Sequence, residues 1–379
     1  MRKISMVDLR AQYDKIKPEI DNAIHDVINS TAFINGPAVK EFQVALEKYL
    51  DVKHVIPCAN GTDALQISMM ALGLKPGDEV IAPDFTFIAT AEVIALLGLT
   101  PVLVDVEPDT FNISPEAISK AITPRTRAIV PVHLFGQTAD MDAIMKIAAE
   151  HNLFVIEDAC QSIGSDYRSA SGQWKKSGTI GHVGCTSFFP SKNLGCYGDG
   201  GAIFTNDDTL AVKLRSVVNH GMTVRYYHDD IGVNSRLDSI QAAVLKVKLQ
   251  YLDNYAQARQ LVAATYDEAF RDRPELTIPA RYADSTHVFH QYTLQAKGID
   301  RGKLIEFLSS KDIPAMIYYP VPIHLQKAYI DSRYKAGDFP VTERLSHTVF
   351  SLPMHTEMDQ EQLSHIIGSV IEFLETGNN

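Results

Sequence analysis

Between residues 54 and 205, short β-rich runs alternate with amphipathic helical runs. No other feature of the chain limits its architecture as much. The β-rich runs cover 54–57, 79–82, 100–106, 128–132, 153–157 and 202–205, and helical runs at 62–72, 90–97, 114–122 and 140–151 separate most of them. Parallel neighbours in a sheet need a crossover, usually a helix, and the crossovers cover both faces. The expected core is therefore an α/β layer structure around a mainly parallel sheet. Two helices precede it. Ile16, Ile20, Ile24, Val27 and Ile28 recur at helical spacing over 14–29, and Phe42, Leu46 and Leu50 line one side of 37–50.

The texture changes after residue 239. Residues 239–272 read as one or two long helices, followed by an α+β mixture: strand 288–296, helix 301–311, strand 315–319 and helix 360–374. At 379 residues the chain exceeds the size at which one hydrophobic core stops growing. A large unit over 1–250 and a smaller C-terminal unit over 251–379 are expected.

Charge and cysteines exclude several classes. The net charge is -11, and Lys and Arg are scattered rather than clustered, which argues against a nucleic-acid partner. Cys58, Cys160, Cys185 and Cys196 form no CxxC pair and fit neither a zinc ribbon nor a disulfide framework, so no metal is expected. Sparse free thiols and an N-terminus without an apolar signal core point to the cytoplasm. The most apolar stretch, 89–106, is broken by Glu92, Gly98 and Pro101, so no membrane span is expected.

Three local constellations could carry chemistry. In CANGTDALQISMMAL (58–72), Asn60-Gly61 turn the chain into a helix opening at Thr62 and Asp63. Free N–H groups and the positive end of the helix dipole suit a phosphate there. The plainer reading is a strand–turn–helix junction with Thr62 as N-cap. In LFVIEDACQSIG (153–164), an apolar strand delivers Glu157 and Asp158 to its carboxyl end, where open α/β sheets bind ligands. Asp158 could hold a ring nitrogen protonated or merely cap the next turn, and Gln161 could face the same site or sit in that turn. In CTSFFPSKNLGCYGDGGAIFTN (185–206), Lys192 lies between an apolar Phe188-Phe189-Pro190 wall and a glycine-rich loop. Desolvation there would make its amine nucleophilic, and Ser187 and Ser191 flank it with hydroxyls. The plainer reading is a glycine-rich hairpin with a chance lysine. Phosphate cradle, strand-end carboxylate and buried lysine together are the parts needed for pyridoxal 5'-phosphate.

Asn60-Gly61-Thr62-Asp63-Ala64-Leu65, the Glu-Asp-Ala-Cys-Gln run at 157–161 and Ser-Phe-Phe-Pro-Ser-Lys-Asn-Leu-Gly at 187–195 resemble the DegT/StrS family of nucleotide-sugar aminotransferases. So do Gly198-Asp199-Gly200-Gly201-Ala202 and Asn234-Ser235-Arg236-Leu237-Asp238, and the likeness runs from Val7 to His355. The resemblance implies fold type I of the pyridoxal-phosphate transferases (aspartate aminotransferase-like), working as a homodimer with shared active sites. Lys192 would be the Schiff-base lysine, Asp158 the pyridinium partner, and Gln161 would lie near the ring hydroxyl. Phe87 would stack on the ring, with Phe85 its competitor. Gly61, Thr62 and Ser187 would hold the phosphate, and Asn234 would reach it from the other subunit. Arg225, Tyr226, His228, Arg236, Tyr319 and His324 would border the sugar. For Arg236 an internal pair with Asp238 competes with that role, and for His324 a place as a satisfied loop histidine.

The reaction implied is ping-pong. L-Glutamate gives its amino group, Lys192 carries a proton as base and then acid, and a keto nucleotide-sugar takes the amino group by the reverse steps. DACQSIG, TSFFPSKNLGCYGDGGAIFTNDD and GVNSRLDSIQAA most resemble the 3-aminotransferases acting on UDP-2-acetamido-2-deoxy-3-oxo-glucuronate, whose product would enter surface polysaccharide. A dTDP-3-keto or 4-keto 6-deoxyhexose is the alternative sugar. A pyridoxal-phosphate sugar dehydratase and a non-catalytic sensor of the same fold are the alternatives in other classes. Retention of Lys192 argues against the dehydratase.

Overall fold

The computed structural model describes residues 2–376; Met1, at the start of the first expected unit, and residues 377–379, at the end of the second, lie outside it. Two helices, α1 (Leu9–Ser30) and α2 (Pro37–Leu50), lead in. They bury the aliphatic stripes expected of them, Ile16, Ile20 and Val27 on α1 and Phe42, Leu46 and Leu50 on α2. Seven strands then build the central sheet: β1 (His54–Cys58), β2 (Glu79–Pro83), β3 (Thr100–Val104), β4 (Thr126–Ile129), β5 (Phe154–Asp158), β6 (Val183–Ser187) and β7 (Gly201–Thr205). Their spatial order is β1-β7-β6-β5-β4-β2-β3. Only β7 runs against the others, pairing antiparallel with both β1 and β6. The mainly parallel sheet is as expected, and helices cover it: α3 (Gly61–Ala71), α4 (Ala89–Leu96), α5 (Pro115–Ala121), α6 (Met141–His151) and α7 (Asp208–Val217).

Both faces of the sheet are apolar. Val80, Ala128, Ile156 and Ile203 pack with α3 on one side, and Ile81, Ile129 and Val155 pack with α6 on the other. Burial of each such aliphatic side chain contributes about 1.5–3 kcal/mol before the entropy of ordering is subtracted.

The stretch 239–272 forms two helices, α8 (Ser239–Leu249) and α9 (Leu252–Phe270), broken where neither Gly nor Pro marks a stop. Beyond them an antiparallel sheet of β8 (Leu276–Thr277), β9 (Tyr292–Ala296) and β10 (Val349–Leu352) packs under α9, α10 (Arg301–Ser310) and α12 (Gln360–Thr376). A further helix, α11 (Pro340–Thr348), leads into β10. Tyr266, Phe270, Tyr292 and Phe350 centre a separate core, which Ile4 joins from the N-terminus.

Several expectations need correcting. Residues 315–319 are not a strand: Met316 makes a single bridge to Ser351, and Pro314 and Pro320 lack the N–H that a longer ladder would need. The strand expected over 288–296 starts at Tyr292. β6, α7, α11 and β10 were not among the expected elements. No helix of the described residues is long and apolar enough to cross a membrane.

Candidate active site

Five parallel strands end at the same edge of the sheet, and the residues that follow them, or close them, line one cavity of about 800 Å³. β1 leads to Asn60, Gly61 and Thr62, β2 to Thr86 and Phe87, and β4 to Val132 and Phe135. Asp158, the last residue of β5, lines it with Cys160 and Gln161. Ser187, the last of β6, lines it with Phe189, Ser191 and Lys192. This is the carboxyl edge at which α/β sheets place ligands.

The floor is the start of α3. Asn60, not Thr62, is the N-cap: its side chain accepts from the Asp63 N–H at 2.8 Å. The N–H groups of Gly61 and Thr62 belong to the first turn, where the helix has no carbonyl of its own to offer them. Gly61 is required here by space rather than by backbone angle. A Cβ would stand 2.7 Å from Ser187 Cβ and 2.9 Å from Cys160 Sγ, closing the cradle. Free N–H groups, a helix dipole and the hydroxyls of Thr62 and Ser187 suit a phosphate dianion.

Asp158 is held from both sides. Oδ2 accepts from Thr90 Oγ1 at 3.0 Å and Oδ1 from the Cys160 N–H at 3.2 Å, so the carboxylate is oriented while buried. Its neighbour Glu157 points to the other face of β5. There it meets His133 Nε2 at 2.8 Å and accepts from the Gly178, Ile180 and Gly181 N–H groups. The Ala139 N–H donates to His133 Nδ1 at 3.1 Å, so the proton of that imidazole is on Nε2 and Glu157 is its acceptor. Of the two carboxylates, one locks a loop and the other faces the cavity.

Lys192 is half-buried and lines the cavity together with Cys160 and Asp158. Enclosure drives its ammonium below the ordinary lysine value, with Cys160 and Asp158 pulling the other way, so the neutral, nucleophilic amine is reached more readily than in a free lysine. The same enclosure pushes the Cys160 thiol well up, which makes it an inert neighbour. Gln161 accepts the Phe135 N–H through Oε1 at 2.8 Å, which turns its amide nitrogen to the Tyr319 hydroxyl at 3.1 Å. Phe87 is 54% exposed on the cavity wall, whereas Phe85 is buried against Phe111 and Phe135. A phosphate cradle at one end, a fixed carboxylate, an aromatic face and a desolvated amine fit a flat, phosphorylated, cationic ring.

Other expected residues stand away from this cavity. Arg225, Tyr226 and His228 are exposed on a hairpin, Met222–Val224 with Tyr227–His228, where Arg225 donates to the Tyr226 hydroxyl at 3.0 Å. Asn234 is exposed and bridged to Asn219. Arg236 lines a separate cleft of about 220 Å³ with Asn35, Gln43 and Arg215. Asp238 is not its partner but the N-cap of α8, accepting from the Gln241 N–H at 2.9 Å. Tyr319 does line the cavity, together with Tyr318.

His324 is a correction. Its side chain has no exposure, Nδ1 lies 2.6 Å from Asp84 Oδ2, and it cannot touch a substrate. Sequence reasoning also misses His290 and Gln291, which reach the cavity from the segment just before β9. Burial, with Lys192 and Arg259 nearby, keeps the His290 imidazole neutral. No local motif marks either residue.

The model of the DegT/DnrJ/EryC1/StrS aminotransferase family matches residues 14–371. A pleiotropic regulatory protein of Geobacillus stearothermophilus is 45% identical over 98% of both chains. The UDP-2-acetamido-2-deoxy-3-oxo-D-glucuronate aminotransferase of Pseudomonas aeruginosa is also 45% identical, over 97% of this chain and 99% of that one. The crystal structure of DesV from S. venezuelae, in complex with a ketimine intermediate, superposes with a TM-score of 0.94 at 38% identity, covering 99% of each chain.

Proposed function

The chain belongs to the DegT/DnrJ/EryC1/StrS aminotransferase family, enzymes of the pyridoxal-phosphate fold type I, and from that premise we propose which groups do the chemistry and on which sugar. It is a nucleotide-sugar aminotransferase whose cofactor is pyridoxal 5'-phosphate. When bound, the cofactor supplies an aldehyde for amines and a ring that takes up the electron pair released at a substrate carbon. Lys192 provides the amine that holds it and, once free, moves the proton at the reacting carbon. Asp158 keeps a proton on the ring nitrogen. Gly61, Thr62 and Ser187 hold the phosphate, Phe87 covers the ring and Gln161 orients its hydroxyl side. The observation that carries this assignment is the convergence of Lys192, Asp158 and the free start of α3 on one cavity. We also propose that it works in the cytoplasm as a large unit over 1–250 and a small one over 251–379, a division supported by the separate C-terminal core.

The sugar we propose is UDP-2-acetamido-2-deoxy-3-oxo-glucuronate, with L-glutamate as donor. Support comes from the motifs shared with that enzyme class and from the similarity to the Pseudomonas enzyme. One observation favours the second reading, a neutral dTDP-3-keto or 4-keto 6-deoxyhexose: no arginine lines the cavity among the described residues. A uronate carboxylate would need a cation from elsewhere, and we assign that part to Arg236 of a second copy. The deciding experiment offers the loaded protein glutamate with a panel of keto nucleotide-sugars. The uronate should be aminated fastest, and no amino sugar from any of them would overturn the function. In the same assay Arg236→Lys keeps the charge but loses the planar fork, so the sugar half-reaction should fall roughly ten- to a hundredfold, with the glutamate half-reaction unchanged. An unchanged sugar half-reaction removes Arg236 from the site and with it the residue-level argument for a uronate.

A homodimer with shared sites is part of the proposal. Asn234, Arg236 and the hairpin at 222–228 lie on one stretch that does not reach the chain's own cavity, among exposed Val224, Tyr226, Tyr227 and Ile231. Such a patch on a soluble chain is ordinarily covered by a partner. Mixing Lys192→Ala with Asn234→Asp protein tests it. Random exchange makes half the dimers hybrid, and each hybrid has one intact site in two, so about a quarter of wild-type activity should return. Exchange without recovery refutes the shared site.

A further inference from the structure

Asp84 directly precedes Phe85, Thr86 and Phe87 at the carboxyl end of β2, and its carboxylate is fully buried. Oδ1 accepts from the His324 backbone N–H at 2.8 Å, and Oδ2 lies 2.6 Å from His324 Nδ1. The Asp84 carbonyl accepts a third bond from the Ile323 N–H at 3.3 Å. These contacts staple the loop that carries Phe87 to a segment 240 residues further along the chain. That segment begins with Tyr318 and Tyr319, both on the cavity wall.

The stapled loops form the aromatic end of the cavity. The Phe87 and Tyr319 rings are 6.2 Å apart, and Phe85 meets Tyr319 edge-on at 6.1 Å. Tyr319 is tied at its own end by Gln161. The stretch 319–324 is therefore pinned at both ends, by Gln161 inside the cavity and by Asp84 behind it. His324 is boxed from the rear by Phe339, with ring centres 4.7 Å apart, and by Glu343, whose Oε1 lies 3.4 Å from Nε2.

We propose that the Asp84–His324 pair is a positioning latch that sets the separation of the Phe87 and Tyr319 walls and so the fit of the sugar substrate, which neither residue touches. The inference rests on the cavity being that of a nucleotide-sugar aminotransferase. Burial pushes the Asp84 carboxyl up and the contacts with His324 pull it back, leaving it at about 6, so each partner makes the other's burial tolerable. A carboxylate left without the ring nitrogen would have to protonate or admit water, and either loosens the segment, leaving it to the backbone contacts of 323 and 324.

The test uses His324→Leu, which keeps most of the volume and removes both ring nitrogens, and His324→Asn, whose amide nitrogen can take the place of Nδ1. In the apoprotein, amide exchange over 317–325 should accelerate roughly tenfold or more in the Leu variant, as for loss of a charge-assisted hydrogen bond, and return most of the way in the Asn variant. In the loaded enzyme the Leu variant should raise the KM for the sugar roughly tenfold, with kcat and the glutamate half-reaction within about twofold, and Asn should restore it. Equal loss in both half-reactions, or no rescue by Asn, would reduce the pair to a fold-stabilising contact. If the Leu protein does not fold, Asp84→Ala, which removes both carboxylate contacts, carries the same measurements and should shift them the same way; unchanged values there overturn the latch. If wild type aminates no sugar, the functional reading fails by itself, and the exchange result still judges the latch.

Discussion

Replacing Lys192 by alanine should abolish transamination while leaving the fold in place. The residue has two tasks on one atom: to provide the amine that holds the cofactor, and to move the proton at the reacting carbon. A positioned general acid–base alone contributes about 10²–10⁴-fold, so losing both tasks should lower turnover by roughly 10⁴-fold or more. Stability should not fall with it. Enclosure already penalises the charge on this side chain, so removing it relieves a cost rather than breaking a support. The melting temperature of the apoprotein should therefore hold or rise. Borohydride reduction of the loaded wild type, followed by peptide mapping, should find the cofactor attached to Lys192. Normal turnover in the variant, or attachment at another lysine, overturns the assignment.

Asp158→Asn should slow both half-reactions by about a thousandfold without releasing the cofactor. The substitution keeps the volume and leaves an oxygen for the Cys160 N–H, so the end of β5 stays as it is. What it removes is the charge opposite the ring nitrogen. A unit charge pair at about 4 Å, at the effective dielectric of a protein site, is worth about 4 kcal/mol, or roughly 10³ in rate if the cationic ring is needed in the transition state. Both half-reactions pass through the same ring chemistry, so both should fall. Stopped-flow measurement of each half-reaction checks this, with cofactor content determined separately. A loss below tenfold, or one confined to the sugar half-reaction, removes Asp158 from the ring nitrogen.

Local and periodic features were legible in the residues alone. Alternating runs of apolar and amphipathic residues dictated a helix-covered parallel sheet, because neither element can bury its apolar side alone. Asn60-Gly61 before a helical run and a carboxylate closing an apolar strand were readable as strand ends, and a lysine entering a glycine-rich loop as a desolvated amine. In a parallel sheet, strand ends that lead into crossovers share one edge, so the first two motifs could be placed together before any contact was known, and the lysine joined them only through the chemistry the three would share.

Tertiary structure decided what depends on partners far away in the chain. Nothing local separates Glu157 from Asp158; the loop at 178–181 and His133 claim the first, and so leave the second to the cavity. β6 has no exposed position to give a period of two, since four of its five residues are buried, and only pairing with β5 and β7 makes it a strand. His324, beside a proline-rich turn, has the look of a ligand residue, yet its partner Asp84 lies 240 residues earlier and takes it into the core. His290 has no motif at all; it reaches the cavity because the C-terminal sheet packs against the glycine-rich loop, through Asn193 and the Val288 carbonyl at 2.9 Å. Periodicity reports which way a side chain points from its own element, and burial depends on what the rest of the chain brings to meet it.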